Sequence, residues 1–161
     1  MANAPPPPIQ DKIVRPQGGG AAGTVTDPWI EYFNEITKTL DVQPRVLATV
    51  ALTAQDASIT ATDMTDGTLS AGVYRVQYYA RITRAATTSS SLTVSLSWTD
   101  GGVSPTFTGV AITGNTTLSF ESRTQFIRIQ ANSPITFATT YASVGATSMQ
   151  YSLYIKLEEI P

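Results

Sequence analysis

The sequence contains no cysteine and no histidine. Without cysteine it has no disulfide framework and no thiolate nucleophile. Without histidine it also lacks the commonest general base near neutral pH and the commonest transition-metal ligand. Charge is sparse as well: Lys, Arg, Asp and Glu make up 14% of the residues, where a quarter is usual, and leave a net charge of −2. Phosphate binding needs clustered Lys and Arg, so Arg75, Arg81, Arg84, Arg123 and Arg128 are read as solvated or interface side chains, with no nucleic acid as partner. No apolar run approaches the length of a membrane span, and the N-terminal residues lack the basic-then-apolar pattern of a secretory signal. A soluble chain with no membrane insertion is the expectation.

Threonine fills much of the space left by charge. It occurs 25 times and, with serine, takes the outward positions that Lys and Glu would hold in an ordinary domain. The stretch LSAGVYRVQYYARIT, residues 69–83, organises the rest. Tyr74, Val76, Tyr78, Ala80 and Ile82 fall on one face of a period-2 pattern, and Val73, Arg75, Gln77, Tyr79, Arg81 and Thr83 on the other. Such a strand covers a core on one side and meets water or another chain on the other.

Upstream, residues 1–25 are rich in Pro and Gly and form no core of their own. Pro5 to Pro8 favour an extended polyproline conformation, and the glycines between Gly18 and Gly23 favour a flexible hinge. The segment reads either as a disordered tail or as a docking peptide; Ile9, Ile13 and Val14, apolar residues that a purely solvating tail lacks, favour anchors in a groove of a larger body. Residues 26–42 contain a short amphipathic helix, DPWIEYFNEITKTL. Asp27 suits the N-cap, Pro28 the first helical position, and Glu31 and Lys38 complement the helix dipole. Trp29, Phe33, Ile36 and Leu40 draw an apolar stripe. About three and a half turns are marginal alone in water, so the stripe packs on its own domain, on sister helices or on a larger particle.

From residue 43 onward the pattern is all strand. Expected strands are Val46–Ala54, Ser58–Thr62, Val73–Thr83, Leu92–Thr99, Thr106–Thr113, Thr116–Phe120, Gln125–Gln130, Ile135–Tyr141 and Met149–Glu159. Turn chemistry separates them at Asp66-Gly67, Asp100-Gly101-Gly102, Gly114-Asn115, Asn132-Ser133-Pro134 and Gly145. This many strands at such spacing predict an all-β fold, a jelly-roll β-sandwich preceded by an extended Pro-rich arm and one short α-helix.

Catalytic equipment is hard to assemble from what remains. Asp63-Met64-Thr65-Asp66-Gly67 lacks the ligand spacing and closing glutamate of a calcium loop and reads as a turn. No carboxylate pair stands out for acid–base work, and no glycine motif cradles phosphate. The expectation is a non-enzymatic protein with no metal and no cofactor. Tyr79 and Tyr154 point away from the core, and Trp98 and Tyr141 lie near strand ends. With Arg75 and Arg81 they are candidates for a subunit interface, or for a ligand surface on which sugars stack.

The arm PPPPIQDKIVRPQ followed by DPWIEYFNEITKTL resembles the N-terminal segments of small structural proteins of tailed bacteriophages. The stretches AGVYRVQYYARITRAATTSSSLTVSLSWTDGG, GNTTLSFES and PITFATTYASVGATSMQYSLYIKLEEI resemble the tumour-necrosis-factor-like jelly rolls of phage fibres and head appendages. What the resemblance implies is a virion protein assembled in the host cytoplasm: a homotrimeric fibre, spike or decoration subunit. Its arm and helix would anchor it to capsid, portal, collar or tail proteins. Its β-domain would project outward and take part in host attachment, with a host surface glycan as a further partner.

Overall fold

The structure, a computed structural model, describes residues 27–41, 44–65 and 69–161. The arm with Ile9, Ile13 and Val14 and the turn at Asp66-Gly67 lie outside them. The helix and the β-unit Pro44–Ile160 are separate compact units.

Helix α1 spans Asp27–Asp41. Trp29, Tyr32 and Phe33 cluster on it, with ring centroids 5.8 to 5.9 Å apart. Phe33 and Ile30 remain exposed.

Among the described residues nine strands follow: β1 Arg45–Gln55, β2 Ile59–Asp63, β3 Gly72–Arg84, β4 Ser90–Ser97, β5 Thr106–Thr108, β6 Ile112–Thr113, β7 Phe120–Ile129, β8 Thr136–Ser143 and β9 Gln150–Ile160. They form a four-stranded sheet in the order β1-β9-β3-β7 and a five-stranded sheet in the order β2-β8-β4-β5, with β6 also on β4. Counting β5 and β6 as one interrupted strand gives eight. Successive strands then change sheet at every step except from β4 to β5, which is the jelly-roll order.

The alternation explains the core. Tyr74, Val76, Tyr78, Ala80 and Ile82 of β3 are buried, as are Leu92, Val94 and Leu96 of β4 and Tyr151, Leu153, Ile155 and Leu157 of β9. Two of these buried phenols find acceptors on backbone carbonyls: Tyr74 donates to Ser70 O at 2.9 Å and Tyr151 to Ala57 O at 2.9 Å. Because Arg45 pairs with Glu159 and Gln55 with Tyr151, the chain enters and leaves the sandwich at one end. Loops 85–89, 114–119 and 144–149 meet at the other. They are stapled together there by Ala86 N to Gly114 O, Thr87 N to Thr147 O and Val144 N to Ser89 O.

Three expected strands come out differently, one of them Gln125–Gln130, which is the C-terminal half of the longer strand β7. Thr106–Thr113 is interrupted, because Val110 N–H turns away from the ladder and donates to Glu121 Oε1 at 2.8 Å. Thr116–Phe120 is a turn up to Ser119, where Leu118 N–H bonds to the Thr116 hydroxyl and Ser119 N–H to the Thr116 carbonyl. Local hydroxyl bonding of this kind competes with a ladder. Phe120 instead opens β7, which pairs with β3 over ten residues without a register shift.

Candidate functional site

Residues directly opposite in an antiparallel ladder share a face, so the register assembles the outer face of the four-stranded sheet row by row. Ala51, Tyr154, Tyr79 and Ser122 form one row across β1, β9, β3 and β7. Ser152, Arg81 and Phe120 form the next on one side. Thr49, Lys156, Gln77 and Thr124 lie on the other side, followed by Val46, Glu158, Arg75 and Phe126. Tyr79 is 40% exposed, Tyr154 51%, Phe120 63% and Phe126 65%. The Tyr79 and Phe120 rings lie 5.9 Å apart at 36°, within the range of a favourable aromatic pair.

A charged belt separates the Tyr79 cluster from Phe126. Arg75 Nε and its terminal nitrogen reach Glu158 Oε2 at 2.6 and 2.5 Å, and Lys156 Nζ reaches Oε1 at 2.6 Å. Both carboxylate oxygens are thus taken by cations, and Glu158 is only 3% exposed although it is in phase with outward residues. The Lys156 ammonium, then the Arg75 guanidinium, hold its carboxyl below the usual carboxylate range against the opposing cost of burial.

The structure places Arg75, Tyr79, Arg81 and Tyr154 together on this face. It does not bring Trp98 and Tyr141 to it. Both belong to the five-stranded side of the sandwich and pack half-buried against the core. Trp98 follows Leu92, Val94 and Leu96 in phase. Tyr141 donates its hydroxyl to Met149 O at 2.8 Å and sets its ring 6.1 Å from Tyr151.

Phe120, Phe126 and Val46 are members of the face that sequence reasoning missed. The signal for the two phenylalanines was present: Phe120, Ser122, Thr124, Phe126 and Arg128 are one period-2 set. It was masked by the opposite phase, where Glu121, Arg123 and Gln125 stand at core-facing positions.

That polar stretch builds a second, buried cluster. Glu121 Oε1 accepts from Val110 N–H and from Arg123 Nε at 3.1 Å. The Tyr78 hydroxyl and Glu121 Oε2 lie under Gly109, where a Cβ would collide with both. Burial, with Glu121 beside it, raises the Tyr78 phenol well above its ordinary range. Among the described residues no group of three or more His, Cys, Asp or Glu could hold a metal ion.

No protein-family model matches the chain, and no curated protein sequence does. Among solved structures it is similar to the carbohydrate-binding module TmCBM61, seen in complex with β-1,4-galactotriose, at 16% identity and a TM-score of 0.42, covering 69% of this chain and 70% of that one. It is also similar to the tumour-necrosis-factor protein Eiger from S. frugiperda, at 12% identity and a TM-score of 0.31, covering 73% and 91%. The jelly roll itself is read from this chain's own strand order.

Proposed function

We propose that the chain is a non-enzymatic structural subunit of a bacteriophage virion, a fibre, spike or decoration protein. It assembles as a homotrimer through the outer face of the four-stranded sheet and is held on the particle by its N-terminal region, Ile9, Ile13 and Val14 included. One observation carries the assembly. Every exposed large apolar side chain on a described strand (Val46, Val73, Tyr79, Phe120, Phe126 and Tyr154) lies on that one face. An aromatic cluster of Tyr154, Tyr79 and Phe120 bordered by arginine, with further apolar side chains beyond a charged belt, is what an interface requires and what a solvated sheet avoids. The number of copies and the virion setting come from the resemblance of the arm, helix and strand segments.

Tyr79→Asp combined with Tyr154→Asp tests the reading, because it buries unpaired charge in the contact. The expected result by light scattering is a mass of one chain with an unchanged β-sheet circular-dichroism spectrum. Thr140→Asp, on the outer face of the other sheet, is expected to keep the assembled mass. Equal masses for the two variants would remove this face as the contact.

A second reading rests on the same rings. Tyr154 and Tyr79 are direct cross-strand partners and the Phe120 ring adjoins Tyr79 on the diagonal from the next row, which makes a platform on which a host surface glycan could stack. Glycan-array binding lost on Tyr79→Ala in a folded single chain would favour it; a silent array would count against it.

A further inference from the structure

The helix carries a pattern that the β-unit does not explain. Trp29 and Ile36 stand seven residues apart, as do Phe33 and Leu40, and the steps between them run 4, 3, 4. That is the a/d spacing of a heptad, with Phe33 and Leu40 at a and Trp29 and Ile36 at d. The positions flanking the seam are Ile30, Tyr32, Thr37 and Thr39, none of them charged. Every charged residue of the helix (Asp27, Glu31, Glu35, Lys38 and Asp41) falls at b, c or f, away from the seam. Phe33 is 54% exposed and Ile30 45%.

We infer that α1 is a self-association seam whose occupant is the same helix of sister chains, packed side by side in register. The inference rests on the trimer proposed above. A copy of the same helix fits because the seam and its flanking positions are uncharged in sequence, so identical helices meet without like-charge repulsion at e and g. Leu at a with Ile at d favours three or four strands over two. Two heptads are too short to associate unaided. Here, though, only Val42, Gln43 and Pro44 separate the helix from β1, and tethering to a common head raises the effective concentration of the helices to the millimolar range. The helix stripe then joins subunits, and attachment to the particle falls to the arm.

The absence of native cysteine makes the test clean. Ile36→Cys, on the seam, and Glu35→Cys, beside it at an outer position, are made separately in the full chain. Each is oxidised mildly and run on a non-reducing gel, with the unoxidised mass measured by light scattering. The expected result is a three-chain mass for both, with disulfide-linked pairs approaching two of every three chains for Ile36→Cys and several-fold fewer for Glu35→Cys. The helical circular-dichroism signal should also fall in Phe33→Asn without loss of the sheet signal. Equal cross-linking of the two cysteines in a three-chain assembly would overturn the seam and leave the trimer standing. A single-chain mass would overturn the trimer, and the seam with it.

Discussion

On the outer side of the five-stranded sheet, β4 and β8 present Ser91, Thr93, Ser95 and Ser97 beside Thr136, Ala138, Thr140 and Ala142, and β5 and β6 add Thr106, Thr108 and Thr113. On the outer side of the four-stranded sheet, the corresponding positions hold Tyr79, Tyr154, Phe120, Phe126, Arg75, Arg81, Lys156 and Glu158. Both sheets obey the same alternation, and both bury an apolar inner face. The fold demands nothing specific of outward side chains, so their chemistry reports what each face meets. Small hydroxyls suit water. Aromatic rings with paired charge suit another protein surface, and the proposed trimer places them there.

The comparison is broken most severely from inside. Leu153→Ala removes a fully buried side chain from β9 and is expected to cost about 2–5 kcal/mol of stability in chemical denaturation. Its neighbour Tyr154→Ala is expected to weaken assembly while largely sparing the fold of the subunit. Gly109→Ala asks how the five-stranded sheet loses its edge near β5. The added methyl meets the Tyr78 hydroxyl and the Glu121 carboxylate, and overpacking of this kind costs about 1–3 kcal/mol. Amide exchange at Val110 should quicken with it, since Glu121 is what holds that N–H.

Smaller effects sharpen the outer face. Phe126→Ala removes a ring that is exposed in the single subunit, so the stability of an isolated chain should change by no more than about 0.5 kcal/mol. Assembly should weaken by about 1 kcal/mol or more, roughly fivefold or greater in dissociation constant by sedimentation. The charged belt should show in the pH profile. Glu158 has its folded pKa below the ordinary value of 4.5, so it contributes stability above that value and loses it as pH falls through the folded pKa. Acid titration of stability should therefore steepen below 4.5 in the native protein and flatten in Glu158→Gln.

The inner faces of β3, β4 and β9 were legible in the sequence because each reads as an unbroken apolar phase, Tyr74 to Ile82, Leu92 to Leu96 and Tyr151 to Leu157. Strand β7 was not. Its core-facing phase begins with Glu121, Arg123 and Gln125 at the open edge of the sandwich, so the alternation showed only from Ile127 and the strand read as two pieces. The break between β5 and β6 was hidden for a related reason: the carboxylate that captures Val110 lies eleven residues away. Half of the candidate face could be read from strand phase, through Arg75, Tyr79, Arg81 and Tyr154. Phe120 and Phe126 join it only because β7 lies beside β3, and sheet order is a property of the folded chain.

The most direct test of the difference between the two outer faces is the solution mass of the full-length protein, by light scattering coupled to gel filtration at low micromolar concentration. The account predicts the mass of three chains, held on dilution until the aromatic contact dissociates. A mass of one chain at every concentration would contradict it, leaving Tyr79, Tyr154, Phe120 and Phe126 open to solvent with no subunit to cover them.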